Sequence, residues 1–447
     1  MSTEPLLRLE GVTKHFLQND DLLSRLRPDR EVTTVRAVDG VDLSVEEGTT
    51  LGLVGESGCG KSTLAETVLQ LLEATEGAVY YRGEDLTEYT DAQRRAFRSE
   101  AQMIFQDPFS SLNPRYTVER TLVEPMAVHD IGDSRADRAD RAAELVERVG
   151  LGAEHLDRHP HEFSGGQRQR VAIARALAVE PNLVVADEPV SALDVSVQAQ
   201  ILNLLRELRA EMDLTILFIS HDLSVVRQIC DEVAVMYLGQ VVERATTEAV
   251  FEDPQHPYTE VLVSSIPTPD PTDDREKITL TGDVPTPIDP PSGCRFHTRC
   301  PAVIAPDDWD HGQDVWRRAL RFKELVADGD VRPAAMREQL AAGGGSPDDD
   351  DVAEALLEEH VVEGGLTDSD TVSVPGPVRE VLLEALSMLV DGDRAAAQDR
   401  LDEAFSSVCE SQIPAHYEVG DGHTAVCHLL DDDHAGDWDS PLASVDR

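Results

Sequence analysis

The sequence predicts an α/β protein built on a largely parallel sheet, and three observations predict it. Short apolar runs alternate with stretches of helical periodicity. A glycine-rich loop of phosphate-binding type stands between one such run and a helix. A later apolar run ends in two acids. In order along the chain, residues 6–11 and 38–45 alternate apolar and polar side chains as half-buried strands do. The polar, proline-containing stretch 19–30 between them reads as an exposed loop. Residues 50–54 are a short apolar strand running into the glycine-rich loop, and 63–72 read as the helix after it. Residues 183–186 and 215–219 are two further buried strands, each followed by a helical stretch. The interval 86–150 is mostly helical by periodicity and reads as an inserted helical subdomain. After residue 251 the composition changes. Residues 254–291 hold many prolines and few long apolar runs, which predicts an extended, wrapped segment rather than a helix. Two apolar-periodic helices follow, between residues 309 and 326 and between 377 and 405. Gly343, Gly344, Gly345 and the acidic run 348–351 between them read as a solvated linker.

At 447 residues the chain is long enough for two or three domains, and 41% hydrophobic content supplies real cores. Against 39 Lys plus Arg stand 86 Asp plus Glu, a net charge of −47. Such a surface repels nucleic-acid phosphates, so a nucleotide must bind at a local site built from backbone amides. Lysine is confined to Lys14, Lys61, Lys277 and Lys323. An acidic, lysine-poor surface with acids spread along the whole chain points to a salt-loving source, where the Debye length shrinks to roughly 3 Å at 1 M; an acidic interaction surface is the alternative. No run approaches the roughly 20 apolar residues that cross a bilayer. The start, Met1, Ser2, Thr3, Glu4, has neither a basic region nor an apolar signal core, and a cytosolic chain is expected. Six cysteines in such a chain favour metal binding or isolated thiols over a disulfide framework.

Gly55, Glu56, Ser57, Gly58, Cys59, Gly60, Lys61 and Ser62 fit G-x-x-x-x-G-K-[ST], followed by Thr63 on the helix. Glycines let backbone N–H groups curl around phosphates, and the helix N-terminus adds partial positive charge. Lys61 then reaches the terminal phosphates and the Ser62 hydroxyl can ligate Mg²⁺. Cys59 reads as a small filler rather than a nucleophile. The strand at 183–186 delivers Asp187 to the same magnesium shell, while Glu188 can orient or deprotonate an attacking water.

Phe163, Ser164, Gly165, Gly166, Gln167, Arg168, Gln169 and Arg170 resemble the signature motif of ABC-transporter ATPases. The resemblance implies a P-loop ABC ATPase with an antiparallel β subdomain, a parallel-sheet core and a helical subdomain at about 86–180. It casts Gln106 as a lid glutamine that senses Mg²⁺ and the membrane partner, and His221 as the switch histidine on the γ-phosphate. Ser191, Ala192, Leu193 and Asp194 resemble a dimer-contact loop, and Phe16 matches an aromatic that stacks on adenine. Ser164, Gly165 and Gly166 would then serve ATP held by a second ABC ATPase subunit, so two ATP molecules join a head-to-tail homo- or heterodimer.

The C-terminal part carries a finer resemblance. His256, Pro257, Tyr258 and Thr259, then residues 282–287 and 290–301, look like the tail of oligopeptide and dipeptide importer ATPases. The resemblance implies a motor domain at 1–253, an importer-type extension at 254–302 and 406–430, an acidic, mostly helical insertion at 303–405 and an acidic tail at 431–447. It implies two membrane permeases as partners, an extracellular solute-binding protein acting indirectly, no nucleic acid, and a peripheral place on the cytoplasmic face of the membrane. Nickel and oligosaccharides are alternative cargoes, and a soluble non-transport ABC ATPase is the rival class. Some members of this branch hold a [4Fe–4S] cluster, and Cys294, Cys300, Cys409 and Cys427 supply four thiolates for one. Zinc and free structural thiols are the other readings, and Cys230 reads as a core residue.

Overall fold

The computed structural model describes residues 4–18, 33–107, 111–267, 278, 280, 282, 284–342, 346–362, 371–420 and 422–433. The expected loop at 19–30, the glycines 343–345 and most of the acidic tail lie outside the described residues. The chain divides into two compact units. One comprises Met1–Pro254, Thr286–Pro290 and Glu418–Ala425; the other comprises Gln255–Pro285, Pro291–Tyr417 and Val426–Arg447.

In the first unit, β1 (Leu7–Gln18) and β2 (Thr33–Val45) pair antiparallel, with Leu7 opposite Val45. After β3 (Thr50–Val54) and α1 (Lys61–Val68), β4 (Glu76–Tyr81) and β5 (Glu84–Asp85) complete a four-stranded sheet in the order β2-β1-β4-β5. The alternation read at residues 6–11 puts Leu7 and Leu9 into a core with Leu51, Leu53, Leu64 and Val68. Next come α2 (Asp91–Glu100), β6 (Ala101–Ile104), α3 (Val118–Val128), α4 (Arg135–Arg148) and α5 (Gly165–Leu177). They are followed by β7 (Leu183–Asp187), α6 (Val195–Met212), β8 (Thr215–Ser220), α7 (Leu223–Ile229), β9 (Glu232–Tyr237), β10 (Gln240–Thr246) and α8 (Thr247–Glu252).

The second sheet runs β11-β12-β10-β9-β3-β8-β7-β6, closed at one edge by β11 (Tyr417–Gly420) and β12 (His423–Ala425). Strands β9, β3, β8, β7 and β6 are mutually parallel; β10 and β12 are antiparallel additions. Every residue of β3, β7 and β8 is buried, which is why these strands read as unbroken apolar runs. Strand β6 interrupts the mostly helical interval expected at 86–150: it pairs parallel with β7. Four residues directly after a helix are too few to show a period of two.

The second unit opens on α9 (Pro257–Ser264), which overturns the purely extended reading of 254–291. His256 caps this helix through its ring, and Pro257 takes the first helical position, where a missing N–H costs nothing. Helices α10 (Gln313–Asp328), α11 (Pro333–Ala342), α12 (Asp349–Leu357), α13 (Gly376–Val390), α14 (Arg394–Ala404) and α15 (Val408–Ser411) follow. The single helix expected over 377–405 is two, because Gly392 turns the chain with φ 89°. Their core is built on Trp316, Phe322, Leu382, Leu386 and Leu401. Arg318, 2% exposed, donates from Nη1 to the carbonyls of Val361 and Val362 at 2.8 and 2.7 Å. Among the described residues no helix is long and apolar enough to cross a membrane.

The acidic run read as linker is a helix start. Asp348 Oδ1 accepts from Asp351 N at 2.9 Å, Asp351 Oδ2 accepts from Asp348 N at 3.1 Å, and Asp349 and Asp350 fill the first turn of α12. Carboxylates there oppose the positive end of the helix dipole. Asp348→Ala is expected to cost about 1 kcal/mol. Hydrogen exchange over 349–357 should accelerate while α13 stays protected; unchanged exchange would show that the cap carries no stability.

Candidate functional site

Strand β3 ends at Val54 and the chain curls into the glycine-rich loop. Gly55 (φ 154°) and Gly60 (φ 107°) sit in backbone regions that side chains avoid. A Cβ at Gly55 would fall 2.1 Å from Met236 O, and one at Gly60 would fall 2.0 Å from Ala37 O. The loop is thus seated against neighbouring backbone and admits no side chain at either position. Lys61 is 5% exposed; its Nζ donates to Gly55 O at 2.8 Å and Glu56 O at 2.9 Å. Helix α1 begins at Lys61 itself, so Ser62 and Thr63 both stand in its first turn. Cys59 is buried, with its sulfur 3.7 Å from Lys61 Nζ. Burial pushes its thiol up, and the lysine charge opposes that only in part. A buried, protonated thiol is the filler expected.

The acids lie beside this loop. Ser62 Oγ donates to Asp187 Oδ1 at 3.2 Å. Burial raises the Asp187 carboxyl above its usual range; the Ser62 hydrogen bond pulls it down, and the Glu188 charge adds to the rise. Glu188 has φ 43°, and its N–H donates to Ile219 O at 3.0 Å. Its carboxylate is held from two sides. Gln106 Nε2 donates to Oε2 at 2.9 Å, and His221 Nδ1 lies 2.9 Å from Oε1. These groups meet because their strands end together: Val54 is opposite Ser220, Asp187 opposite Ile219, and Ile104 opposite Ala186. Gly55, Asp187, Glu188, His221 and Gln106 all emerge at the carboxyl ends of β3, β7, β8 and β6, where parallel sheets present their ligands.

The glycine-containing segment at 164–167 is a helix cap. Ser164 Oγ accepts from Gln167 N at 3.3 Å and Gln167 Oε1 accepts from Ser164 N at 3.1 Å, opening α5. A Cβ at Gly166 would fall 2.4 Å from Val197 Cγ1 on α6. Asp194 caps α6, accepting from Val197 N at 3.0 Å and Ser196 Oγ at 2.7 Å; the Ser196 hydroxyl and Val197 N–H hold its carboxyl below the usual range. Phe16 stands on β1, opposite Val35, with Lys14 Nζ 5.2 Å from its ring centre. Phe16, the 164–167 segment and Asp194 therefore sit on elements other than the four strand ends.

Comparison with known proteins decides the family. Residues 38–191 match the ABC transporter family, residues 242–305 match the C-terminal region of oligopeptide/dipeptide transporters, and residues 313–422 match a domain of unknown function (DUF8228). The chain is 54% identical over 273 residues to the putative oligopeptide transport ATP-binding protein YkfD of Bacillus subtilis, covering 61% of this chain and 83% of that one. It is 50% identical over 303 residues to the oligopeptide transport ATP-binding protein AppF of the same organism, covering 67% and 90%. It is 47% identical over 303 residues to the dipeptide transport ATP-binding protein DppF of Escherichia coli, covering 68% and 89%. The chain belongs to the ATP-binding subunits of ABC transporters. Its capped 164–167 segment and, of the strand-end cluster, Gly55, Gln106, Asp187 and Glu188 lie within the matched region, and His221 lies beyond it.

The second unit of this ABC ATPase holds four of the six cysteines, Cys294, Cys300, Cys409 and Cys427. The thiols of Cys427, Cys294 and Cys409 each add to the cost of ionising Cys300, and burial adds most. Burial likewise pushes Cys294 up to about 12 and raises Cys409. Cys294 N donates to Cys409 O at 2.8 Å, and His297 Nδ1 lies 2.7 Å from Cys294 O. Yet among the described residues no group of three or more His, Cys, Asp or Glu is arranged to hold a metal ion. The four cysteines of the expected set lie in one neighbourhood, within electrostatic reach of Cys300. Cys230 caps the end of α7 and is buried, as a core residue would be. Arg317, Lys323 and Glu324 of α10 stand near this pocket, and sequence reasoning missed them; no spacing in an amphipathic helix separates them from ordinary surface charges.

Burial pushes Glu324 up to about 8, with His297 Nε2 at 4.0 Å. Unfolded, the same carboxyl ionises in the ordinary range. The folded form then keeps a proton that the unfolded chain has released. Its stability is fully present below the ordinary carboxylate pKa, falls as pH rises toward about 8, and levels above it. Glu324→Gln should flatten this decline in denaturant midpoints taken across that window; an equal slope in both proteins would refute the assignment.

Proposed function

We propose that this ABC ATPase is the ATP-hydrolysing motor of an importer for di- and oligopeptides, acting as a head-to-tail dimer on two membrane permeases. The observation that carries the motor is the Glu188 carboxylate, fixed between Gln106 and His221 at 2.9 Å each, beside the loop that holds Lys61. In this reading residues 55–63 wrap the ATP phosphates, with Lys61 leaving the loop carbonyls for the terminal phosphates. Glu188 takes the proton of the attacking water, His221 orients that carboxylate and meets the γ-phosphate, and Gln106 ties the site to the membrane partner. Phe16 stacks on adenine. Ser164, Gly165, Gly166 and Gln167 offer a capped helix N-terminus to ATP on the opposite subunit, and Asp194 faces the same interface. The Ser62–Asp187 oxygen pair suits Mg²⁺, a hard cation that takes oxygen ligands, with Gln106 as a further ligand. When bound, that ion neutralises charge on the phosphates.

The names of the relatives favour peptides over nickel or oligosaccharides as cargo. Support for a permease partner comes from a groove next to Gln106, where Leu71, Phe105, Pro125 and Val128 stand among polar Arg98, Glu124, His129 and Arg175. Leu71, Phe105 and Val128 are exposed there, which suits a docking helix from a membrane subunit. The protein then sits peripherally on the cytoplasmic face, with the solute-binding protein acting only through the permeases. Residues 1–253 form the motor; 254–302 and 406–430 form the importer-type extension, interrupted by 303–405. In molar salt, where the −47 charge is screened, Lys61→Ala and Glu188→Gln should each lower ATPase turnover by about 100-fold or more. The Gln variant should still bind ATP and dimerise. Full turnover in that variant would overturn the role of Glu188, and an undiminished wild-type rate in dilute buffer would overturn the salt adaptation.

Cys294, Cys300, Cys409 and Cys427 are read as the ligands of a [4Fe–4S] cluster, which would supply thiolate-bound iron and a crosslink between distant segments. Their shared neighbourhood and four-sulfur chemistry support this over zinc. Anaerobically purified protein should carry about four iron and four sulfide per chain with visible absorbance; iron-free protein with equimolar zinc would overturn the cluster.

A further inference from the structure

One buried cation in the insertion has no part in the motor. Lys323, on α10, is 5% exposed, in a chain where four of 39 basic residues are lysine. Its Nζ donates to Phe405 O at 2.7 Å and Glu410 Oε2 at 2.8 Å, and lies 3.2 Å from Asp402 Oδ1. An ammonium has three donors, and here an oxygen stands at each. Those oxygens bracket residues 402–410, the stretch by which the chain leaves the insertion and reaches Cys409.

The return is tied at its other side too. Ser407 Oγ donates to Ile304 O at 2.7 Å, and Ser292 Oγ donates to Glu410 O at 2.9 Å across 118 positions of sequence. Gly293, at φ 62°, passes so near that a Cβ would fall 2.5 Å from Cys409 O. Cys294 N then donates to that same carbonyl at 2.8 Å. Bringing the two ends of so long a loop together costs closure entropy. The apolar core of the insertion reaches into the stretch 402–410 through Phe405, Val408 and Cys409, and polar contacts add direction to it, the charge-assisted ones coming from Lys323. The cysteine pocket is also composite by family: Cys294 and Cys300 lie in the segment matched at 242–305, Cys409 in the segment matched at 313–422, and Cys427 in neither.

We propose that Lys323 is a positioning residue for the cysteine pocket: it closes the insertion so that Cys409 returns beside Cys294. The inference rests on reading the four cysteines as one site, and it does not depend on which metal they hold. The insertion then serves that site by supplying the clamp that places Cys409.

The test uses the full chain after chelator treatment, with a short bis-alkylating reagent that bridges neighbouring thiols, and mass spectrometry of the bridged peptides. Wild-type protein should give a Cys294–Cys409 bridge. Lys323→Met should lower its yield by about tenfold, as expected when buried charge-assisted hydrogen bonds are lost, with basal ATPase and the protection of Cys230 unchanged. Lys323→Arg, which keeps charge and donors, should restore most of it. An undiminished bridge in Lys323→Met overturns the proposal. If that variant aggregates, Glu410→Gln decides: a reduced bridge supports the clamp and an equal one overturns it. Metal content of the untreated wild type is read separately. Metal-free wild type with a Lys323-dependent bridge defeats the cluster and leaves the clamp standing; metal-loaded protein whose bridge ignores Lys323 does the reverse.

Discussion

The carboxylate of Glu188, gripped by Gln106 on one oxygen and His221 on the other, depends on four parallel strands ending in step. Strands β3, β7 and β8 are buried along their whole length, so an unpartnered charge is disfavoured within them, and the one carboxylate, Asp187, is the last residue of β7 and accepts from Ser62. Charge can appear only where the strands stop. The left-handed backbone at Glu188 and the hydrogen bond from its N–H to Ile219 O belong to that stop. The glycine-rich loop is under the same constraint: it leaves β3 at the same edge, pressed against Met236 and Ala37 backbone, with its lysine buried.

The second unit solves a different problem. It must return a chain that has wandered through five helices to the point where it left. Apolar packing around Trp316 and Leu386 makes the insertion compact, but packing is non-directional and does not choose a register for the return. Directional contacts choose it: Lys323 onto Phe405 and Glu410, Ser407 onto Ile304, and backbone between Cys294 and Cys409. In a chain with so few lysines, both Lys61 and Lys323 are buried with their ammonium groups on backbone carbonyls. Arg209, Arg244 and Arg400 pair with acids nearer the surface, while Arg318 is buried on backbone carbonyls as the two lysines are.

Much of the ATPase half was legible beforehand, because its signals are local. Residues 50–54, 183–186 and 215–219 announced themselves by composition, and the loop at 55–62 by spacing that only phosphate chemistry explains. Strand β6 escaped because four residues cannot display a period. Helix α9 escapes a local reading because prolines suit extended segments, although Pro257 sits where a helix tolerates one. The run 348–351 escaped because acids suit both a solvated linker and a helix start, and only the hydrogen bonds between Asp348 and Asp351 separate the two.

Sequence alone determined the chemistry on offer: a phosphate loop, two acids, a histidine, a glutamine and four paired-looking cysteines, each readable because residue type and neighbours suffice to define it. Tertiary structure alone decided which of them meet. Gln106, Glu188 and His221 are far apart in the chain and come within 2.9 Å only because parallel strands hydrogen bond in register. Lys323, with no motif around it, acquires a role only when α10 packs against residues 402–410. Contacts between distant segments are set by the geometry of packing, and no local pattern of side chains encodes where a neighbour will stand.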